Sequence, residues 1–164
     1  MKKDIHYPVA HRSQTMIDSF KTRYDDFDAS LIPSIVHEAI GLRPSHVERS
    51  SSWGSAHVIF FLRFKDHRDL VFRANINMPE PEVEMLIEKH VTDLVAAHDI
   101  PTNRIIYVDI SRKKYNFDFT IQEKLGGIDP EDEFSGTKND YNIFNFETGQ
   151  AIAKLSRVKL DGFG

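Results

Sequence analysis

Apolar and polar residues alternate along several short segments in the middle of the chain, and this pattern predicts strands. In the clearest segment, one side holds Leu70, Phe72, Ala74 and Ile76, and the other holds Val71, Arg73 and Asn75. Segment 47–64 predicts two strands around a polar loop, and segments 105–110 and 117–122 predict two more. The five strands are expected to form one antiparallel sheet, of which the first three are a meander.

Apolar residues at helical spacing predict four helices around these strands. The segment 12–26 is weakly amphipathic, and 30–41 has a narrow apolar stripe, with Pro33 in its first turn and Gly41 placed to end it. Pro79 and Pro81 suit the entry to a third helix running to about His98, whose stripe is Val83, Ile87, Val91 and Leu94. The stripe of the last helix is Phe144, Thr148, Ala151, Leu155 and Val158.

The order of these elements predicts an α+β fold with a β-β-β-α-β-β unit at its centre. A helical extension is expected over residues 1–42 and the sheet with its helix over 43–127. Residues 128–164 are expected to form a linker and a further helix, because 128–140 is polar and acidic after Gly126-Gly127.

Composition narrows the classes of function. The chain has 164 residues, no cysteine and a formal net charge of -4, so disulfides and thiolate chemistry are excluded and a nucleic-acid partner is not expected. No apolar run approaches the roughly 20 residues of a membrane span. Met1-Lys2-Lys3 is followed by polar residues rather than by the apolar core of a signal peptide. We therefore expect a soluble, cytoplasmic protein without a membrane partner.

Four segments follow one another in a recognisable order. They are Leu70-Val71-Phe72-Arg73, the helix and strand around His98-Asp99-Ile100-Pro101, Phe119 to Gly127, and Leu155 to Gly164. Together they resemble the N-terminal lobe of the aminoglycoside phosphotransferase and choline kinase-like family, which has a protein-kinase-like layout. The resemblance covers about residues 43–164, with Asn103 standing where the family has a proline.

The resemblance implies a site for ATP or GTP. Arg73 would be the cation on the phosphates, although an arginine that only faces solvent is the alternative. Glu88 is favoured as the carboxylate that holds Arg73, and Glu84, one turn earlier, remains open. The alternative for either carboxylate is that it is solvated or pairs with Lys89. The polar loop, with Ser52, Gly54 and Ser55, would cover the phosphates or form a plain hairpin turn. Trp53 would cap the nucleotide or pack.

The resemblance also implies how adenine is held. The Gln122 carbonyl and the Lys124 N–H would read the edge of the base, and Val71 and Ile121 would contact it through apolar surface. For Val71 and Ile121 the alternative is an ordinary core position.

Two motifs imitate kinase chemistry and are rejected. His67-Arg68-Asp69-Leu70 resembles the start of a catalytic loop, but the asparagine required five residues after the aspartate is Ala74 here. Asp161-Gly162-Phe163-Gly164 resembles a metal-binding turn with a glycine inserted. The histidines have no metal-ligand spacing, so the sequence indicates no catalytic residue and no metal ligand.

The resemblance implies that the catalytic base and the magnesium ligands belong to a C-terminal lobe beyond this chain. The parent protein would then be a small-molecule kinase that phosphorylates a hydroxyl group, with magnesium and the acceptor bound only when that lobe is present. The chain alone is expected to be an inactive fragment. The alternative is a non-catalytic scaffold that uses the kinase-lobe fold for binding or for forming a homo-oligomer.

Overall fold

A five-stranded antiparallel sheet organises the chain in the computed structural model, which describes residues 14–50, 57–76, 78–127 and 136–159. The strands are β1 (His46–Arg49), β2 (Val58–Arg63), β3 (Leu70–Asn75), β4 (Ile105–Asp109) and β5 (Asp118–Glu123). Their spatial order is β1-β2-β3-β5-β4, and all neighbouring pairs are antiparallel. The predicted α+β fold with this sheet is confirmed.

Four α-helices accompany the sheet in the described part of the chain. They are α1 (Gln14–Asp25), α2 (Ile32–Ile40), α3 (Glu84–Ala96) and α4 (Lys138–Leu155), and a 3-10 turn (Ala29–Leu31) precedes α2. Gly41 ends α2 in the left-handed conformation, with φ of 74° and its N–H donated to the His37 carbonyl at 2.9 Å. A reciprocal capping box between Thr137 and Asp140 begins α4.

The hydrophobic core lies on one face of the sheet. Helix α2 inserts Ile32, Ile35 and Val36 against this face, and all three are buried. Phe72 of the central strand β3 is fully buried, and its ring stacks on Phe119 of β5 with centroids 5.5 Å apart. The alternation predicted for β3 is therefore observed, because Leu70, Phe72, Ala74 and Ile76 all belong to this core.

The opposite face of the sheet carries the polar residues of the same strands. Arg73 of β3 lies between Ile59 of β2 and Thr120 of β5 in the strand register. Val71 is paired with Gln122, and Asn75 is paired with Asp118. Because side chains alternate along each strand, this second face is where any polar site on the sheet must be built.

Helix α3 packs on this polar face, next to β4. Its one buried residue is Met85, and Lys89 ties it to the sheet by donating to the Ile105 carbonyl at 3.2 Å. The predicted apolar stripe is only partly covered by the sheet, since Val83, Ile87 and Val91 are about half exposed. The helix also begins later than predicted, at Glu84, so that Pro79 and Pro81 lie in the connection before it.

A register shift occurs in the edge strand β4 between Ile105 and Tyr107. Ile105 is paired with Gln122, whereas Tyr107 is paired with Ile121, the preceding residue of β5. The extra residue is the signature of a β-bulge, which changes the face to which the following side chains point. Ile105 therefore faces α3, while Tyr107 packs on Phe119 of the core, with ring centroids 5.8 Å apart.

Helix α4 has no buried residue among those described. Its apolar side chains are exposed, including Phe146, at 67%, and Ile152, at 61%. Its Lys154 side chain donates to the Asp99 carbonyl, just after the end of α3, at 2.9 Å. The predicted division of the chain at residues 42 and 127 stays a prediction.

Replacing Phe72 by alanine is expected to destabilise the fold by about 3–5 kcal/mol, because the substitution leaves a cavity between two layers of aromatic and aliphatic side chains. Urea unfolding followed by circular dichroism measures this difference. Phe146→Ala is the matched control, since Phe146 is exposed and its loss should change the free energy of unfolding by less than about 0.5 kcal/mol. Equal effects of the two substitutions would contradict the assigned core.

Candidate functional site

An ion pair between β3 and α3 is the centre of the polar face. The Arg73 guanidinium donates through Nη2 to the Glu88 carboxylate. The Arg73 side chain is 16% exposed, whereas that of Glu88 is 44% exposed. The structure therefore brings together the two residues that the sequence suggested as a pair, and places Glu88 rather than Glu84 on Arg73.

Three buried polar atoms near this ion pair have no hydrogen-bond partner among the described residues. They are Arg73 Nε, Thr120 Oγ1 and Gln122 Oε1. All three side chains lie on the same face, because Thr120 is paired with Arg73 and Gln122 is the next but one residue along β5. A buried polar group without a partner costs about 1–3 kcal/mol, so this cluster is suited to accept a bound molecule or ordered water.

A cleft of about 350 Å³ opens beside the ion pair. It lies between α3 and the sheet, and its walls are Arg73, Ile87, Glu88, Val91, Thr92, Asn103, Ile105 and Gln122. The cleft thus combines one cation, one carboxylate and neutral polar groups with aliphatic surface. Of the residues expected to bind a nucleotide, Arg73, Glu88 and Gln122 line it directly.

The two residues predicted to contact a base are separated by the sheet. Val71 is 8% exposed and shares a face with Arg73, two residues away along β3. Ile121 is fully buried in the core on the other face, because it is paired with Phe72. The structure therefore supports the alternative given for Ile121, an ordinary core position, since neighbours in a strand point to opposite sides. Phe61, the partner of Val71 on β2, is on the side where Ile121 was expected.

The main-chain groups predicted to read adenine are engaged in the sheet. The Lys124 N–H donates to the Asp69 carbonyl at 3.3 Å, and Gln122 is paired with both Val71 and Ile105. The Lys124 N–H would have to leave Asp69 to bind a base. The Lys124 ammonium lies over the Phe61 ring, 4.6 Å from its centroid, so this side chain borders the polar face.

The loop expected to cover the phosphates lies mostly outside the described residues, which exclude Ser52, Trp53, Gly54 and Ser55. Its two ends are described. Ser50 donates its N–H to the Ile59 carbonyl at 2.9 Å, and His57 bonds to the Glu82 carboxylate through Nε2 at 2.9 Å. The beginning and end of the loop are thus tied to β2 and to the segment before α3.

A second polar cluster, which the sequence did not predict, lies at the other end of the same face. Asp118 is fully buried and forms a two-pronged ion pair with Arg112, at 2.8 Å from Nε and 2.6 Å from Nη2. The hydrogen bond to Asp118 raises the pKa of the Arg112 guanidinium above its usual value. Glu82 is linked to this cluster, because its N–H donates to Asp118 at 2.9 Å and its carboxylate accepts from Asn75 at 2.6 Å.

Strand alternation was the signal that could have located part of this cluster. Asp118, Thr120 and Gln122 recur at every second position of β5, between the core residues Phe119 and Ile121. The alternation therefore places the Asp118 carboxylate on the same face as Arg73 and Asn75. No local pattern identifies Arg112 as its partner, because Arg112 belongs to a turn of similar basic residues.

The rejected motif His67-Arg68-Asp69-Leu70 occupies a position consistent with its rejection. Asp69 lies in the turn between β2 and β3, where its carboxylate accepts from Arg63 at 3.4 Å. Asp161 to Gly164 lie outside the described residues.

Among the residues that are described, no group of three or more histidine, aspartate or glutamate side chains could hold a metal ion. Within the same residues, no helix is long and apolar enough to cross a membrane.

Comparison with known proteins supports the fold. The structure is similar to a crystal structure of a candidate aminoglycoside phosphotransferase from Ralstonia eutropha JMP134, with a TM-score of 0.60 and 18% sequence identity. The match covers 81% of this chain and 39% of that chain. No family model and no curated protein sequence matches the chain. The chain thus shares the kinase-like fold of part of a longer protein.

Replacing Glu88 by glutamine is expected to move the NMR signals of the Arg73 side chain, because the charged partner of its guanidinium is lost. Glu84→Gln is the matched control, one turn earlier on the same helix, and should leave those signals in place. Arginine Nε–Hε correlation spectra of the two variants and the parent chain make the comparison. Equal shifts in both variants would contradict the pairing of Arg73 with Glu88.

Proposed function

We propose that this chain is the nucleotide-binding N-terminal lobe of an aminoglycoside phosphotransferase-like small-molecule kinase. The observation that carries the proposal is the Arg73–Glu88 ion pair, which joins the central strand to the helix packed on it. Phosphoryl transfer depends on positioning and on neutralising phosphate charge, and a cation held by a carboxylate serves both needs. The kinase-like fold of the similar structure supports the same conclusion.

In this proposal, Arg73 binds the phosphate groups of ATP or GTP. Its guanidinium uses Nη2 for Glu88, the buried Nε has no partner among the described residues, and the Arg73 side chain lines the cleft. A planar guanidinium matches the geometry of phosphate oxygens, so one edge can hold the carboxylate while another holds the ligand. The loop containing Ser52, Gly54 and Ser55 would cover the phosphates.

The base would lie on the apolar part of the same face. Val71 and Phe61 are paired neighbours on adjacent strands, on the same face as Arg73. Gln122 borders this surface and has an unpaired amide oxygen, which could accept a hydrogen bond from an amino group. These groups would position a purine while Arg73 holds its phosphates.

Transfer to a hydroxyl group is proposed for the parent protein rather than for this chain. The catalytic base, the magnesium ligands and the acceptor site would come from a C-terminal lobe. The similar candidate phosphotransferase is more than twice as long as the part that matches, since the match covers 39% of that chain. A second lobe containing a His-x-Asp-x-x-x-x-Asn motif, encoded after Gly164, would support the enzymatic proposal; its absence from the gene would contradict it.

Titration of ATP and GTP, with magnesium present, into the purified chain tests nucleotide binding. Arg73→Ala is expected to weaken binding about 10- to 100-fold, because a hydrogen bond to a charged group contributes about 1.5–3 kcal/mol. Isothermal titration calorimetry measures both affinities. Arg49→Ala is the matched control, because Arg49 lies over the Tyr24 ring, with its guanidinium carbon 3.8 Å from the centroid, away from the cleft.

Two results would contradict this proposal. One is an equal affinity of the parent chain and the Arg73→Ala variant, which would show that the nucleotide binds elsewhere. The other is an absence of binding to a longer form of the protein that includes a second lobe. Weak binding by the isolated chain that strengthens in the longer form is the expected pattern, because one lobe supplies only one wall of the site.

We propose as the second candidate a non-catalytic scaffold that associates with a copy of itself. The observation in its favour is the exposed apolar surface of the helices. On α3, Ile87 and Val91 are 56% and 46% exposed, and on α4 Phe146 is 67% exposed. Apolar surface of this kind marks interaction sites when several side chains are contiguous.

Sedimentation velocity at increasing protein concentration tests self-association. A dimer that weakens in the Phe146→Asp variant is expected if α4 forms the contact, because burying a carboxylate without a partner is costly. Asn145→Asp adds the same charge to the neighbouring exposed position and should leave the dimer unchanged. A monomer at all concentrations would rule out the scaffold in this form.

A further inference from the structure

The connection between β3 and α3 is held by a residue far away in the chain. Arg112, in the turn between β4 and β5, donates through Nη1 to the Met78 carbonyl at 2.8 Å and to that of Pro79 at 3.3 Å. Its Nη2 donates to the Glu80 carbonyl at 2.8 Å. Three consecutive carbonyls are thus gathered by one guanidinium, which fixes the path of the chain just before α3.

Asp118 holds this guanidinium in place. It is fully buried and accepts from both Nε and Nη2 of Arg112, which leaves the remaining guanidinium edge for the carbonyls. The Asp118 carboxylate also accepts the Glu82 N–H at 2.9 Å. A buried carboxylate requires such partners, so Asp118 and Arg112 form one unit that attaches the connection to β5.

The backbone of Arg112 is in the left-handed region, with φ of 51°. This conformation is uncommon for a residue other than glycine, asparagine or aspartate. It persists where surrounding interactions over-determine it, and such positions concentrate at functional sites. Here the five hydrogen bonds of the Arg112 side chain hold its backbone in this conformation.

Near its first turn, helix α3 has few other contacts that hold its position, and Lys89 attaches it to the sheet further along, at the Ile105 carbonyl. No side chain caps its first turn, and Met85 is its one buried residue. Glu82 adds a further anchor, since its carboxylate accepts from Asn75 at 2.6 Å and bonds to His57 at 2.9 Å. Glu82 precedes Glu88 by less than two helical turns, so these anchors set the height of the Glu88 carboxylate above the sheet.

We propose that Arg112 and Asp118 are positioning residues that hold α3 where Glu88 reaches Arg73. The inference rests on the proposed function in one respect, namely that the Arg73–Glu88 pair binds nucleotide. The link between Arg112 and the ion pair is independent of any ligand. Loss of the guanidinium would release the 78–82 connection and let Glu88 move away from Arg73.

The Arg112→Asn variant tests this link without adding backbone strain at residue 112, because asparagine tolerates the left-handed conformation. The Arg73 Nε–Hε signal is expected to move toward its position in the Glu88→Gln variant. Arg112→Lys should give a smaller shift, since an ammonium group keeps the charge but lacks the planar fork. Arg49→Asn, on the other face of the sheet, is the control and should leave the Arg73 signal unchanged.

Nucleotide affinity gives the second readout. Arg112→Asn is expected to weaken ATP binding by roughly 10-fold. In a chain that already carries Glu88→Gln, the same substitution should weaken ATP binding little further, because both substitutions act on one interaction. Full additivity of the two effects would overturn the proposal, since Arg112 would then act independently of Glu88. A merely destabilising substitution would lower the thermal midpoint without this dependence on Glu88.

The outcomes separate this inference from the proposed function. An unchanged Arg73 signal in Arg112→Asn overturns the positioning role, whatever the nucleotide affinity. A shifted signal in a protein that binds no nucleotide, even in a longer form with a second lobe, supports the positioning role and refutes the proposed function. Where Arg112→Asn does not fold, the same Arg73 signal is measured in Arg112→Lys and in Glu82→Gln, which removes only one carboxylate of the anchor. An unchanged signal in both variants overturns the positioning role.

Discussion

The alternation of side chains along the central strand β3 is the constraint on which the rest of the structure depends. Leu70, Phe72 and Ala74 supply the core on one face, and Val71 and Arg73 supply the other. A shift of one residue would place the guanidinium among phenylalanine rings and expose Phe72. Core and site are therefore specified together, because one register determines both.

Local sequence patterns were sufficient to predict the sheet, since β3 and β5 carry a two-residue alternation and β2 and β4 are short apolar runs. The alternation along β5 places Ile121 in the core, two residues after Phe119, whereas the family resemblance suggested that it contacts the base. For α3, spacing revealed a stripe but not its orientation. A helix lying on one polar face of a sheet buries only what touches that face, here Met85.

The remaining features depend on contacts between distant parts of the chain. The Arg112 side chain bonds to the carbonyl of Met78, 34 residues earlier, and nothing near either residue marks the other. Arg73 and Glu88 are separated by 15 residues. Their pairing was predicted because the family resemblance places a strand cation and a helix carboxylate at about this interval. Sequence reasoning thus identified the Arg73–Glu88 ion pair, where a strand, a helix and a family pattern agreed, and missed the polar cluster around Asp118.

The bulge in β4 has a consequence for the surface of the molecule. β4 and β1 are the two edges of the sheet, and edges with free N–H and C=O groups invite pairing with other chains. The bulge interrupts one edge, and the other has only four residues. Neither edge offers a long regular template, so the described sheet is protected against growth by strand addition.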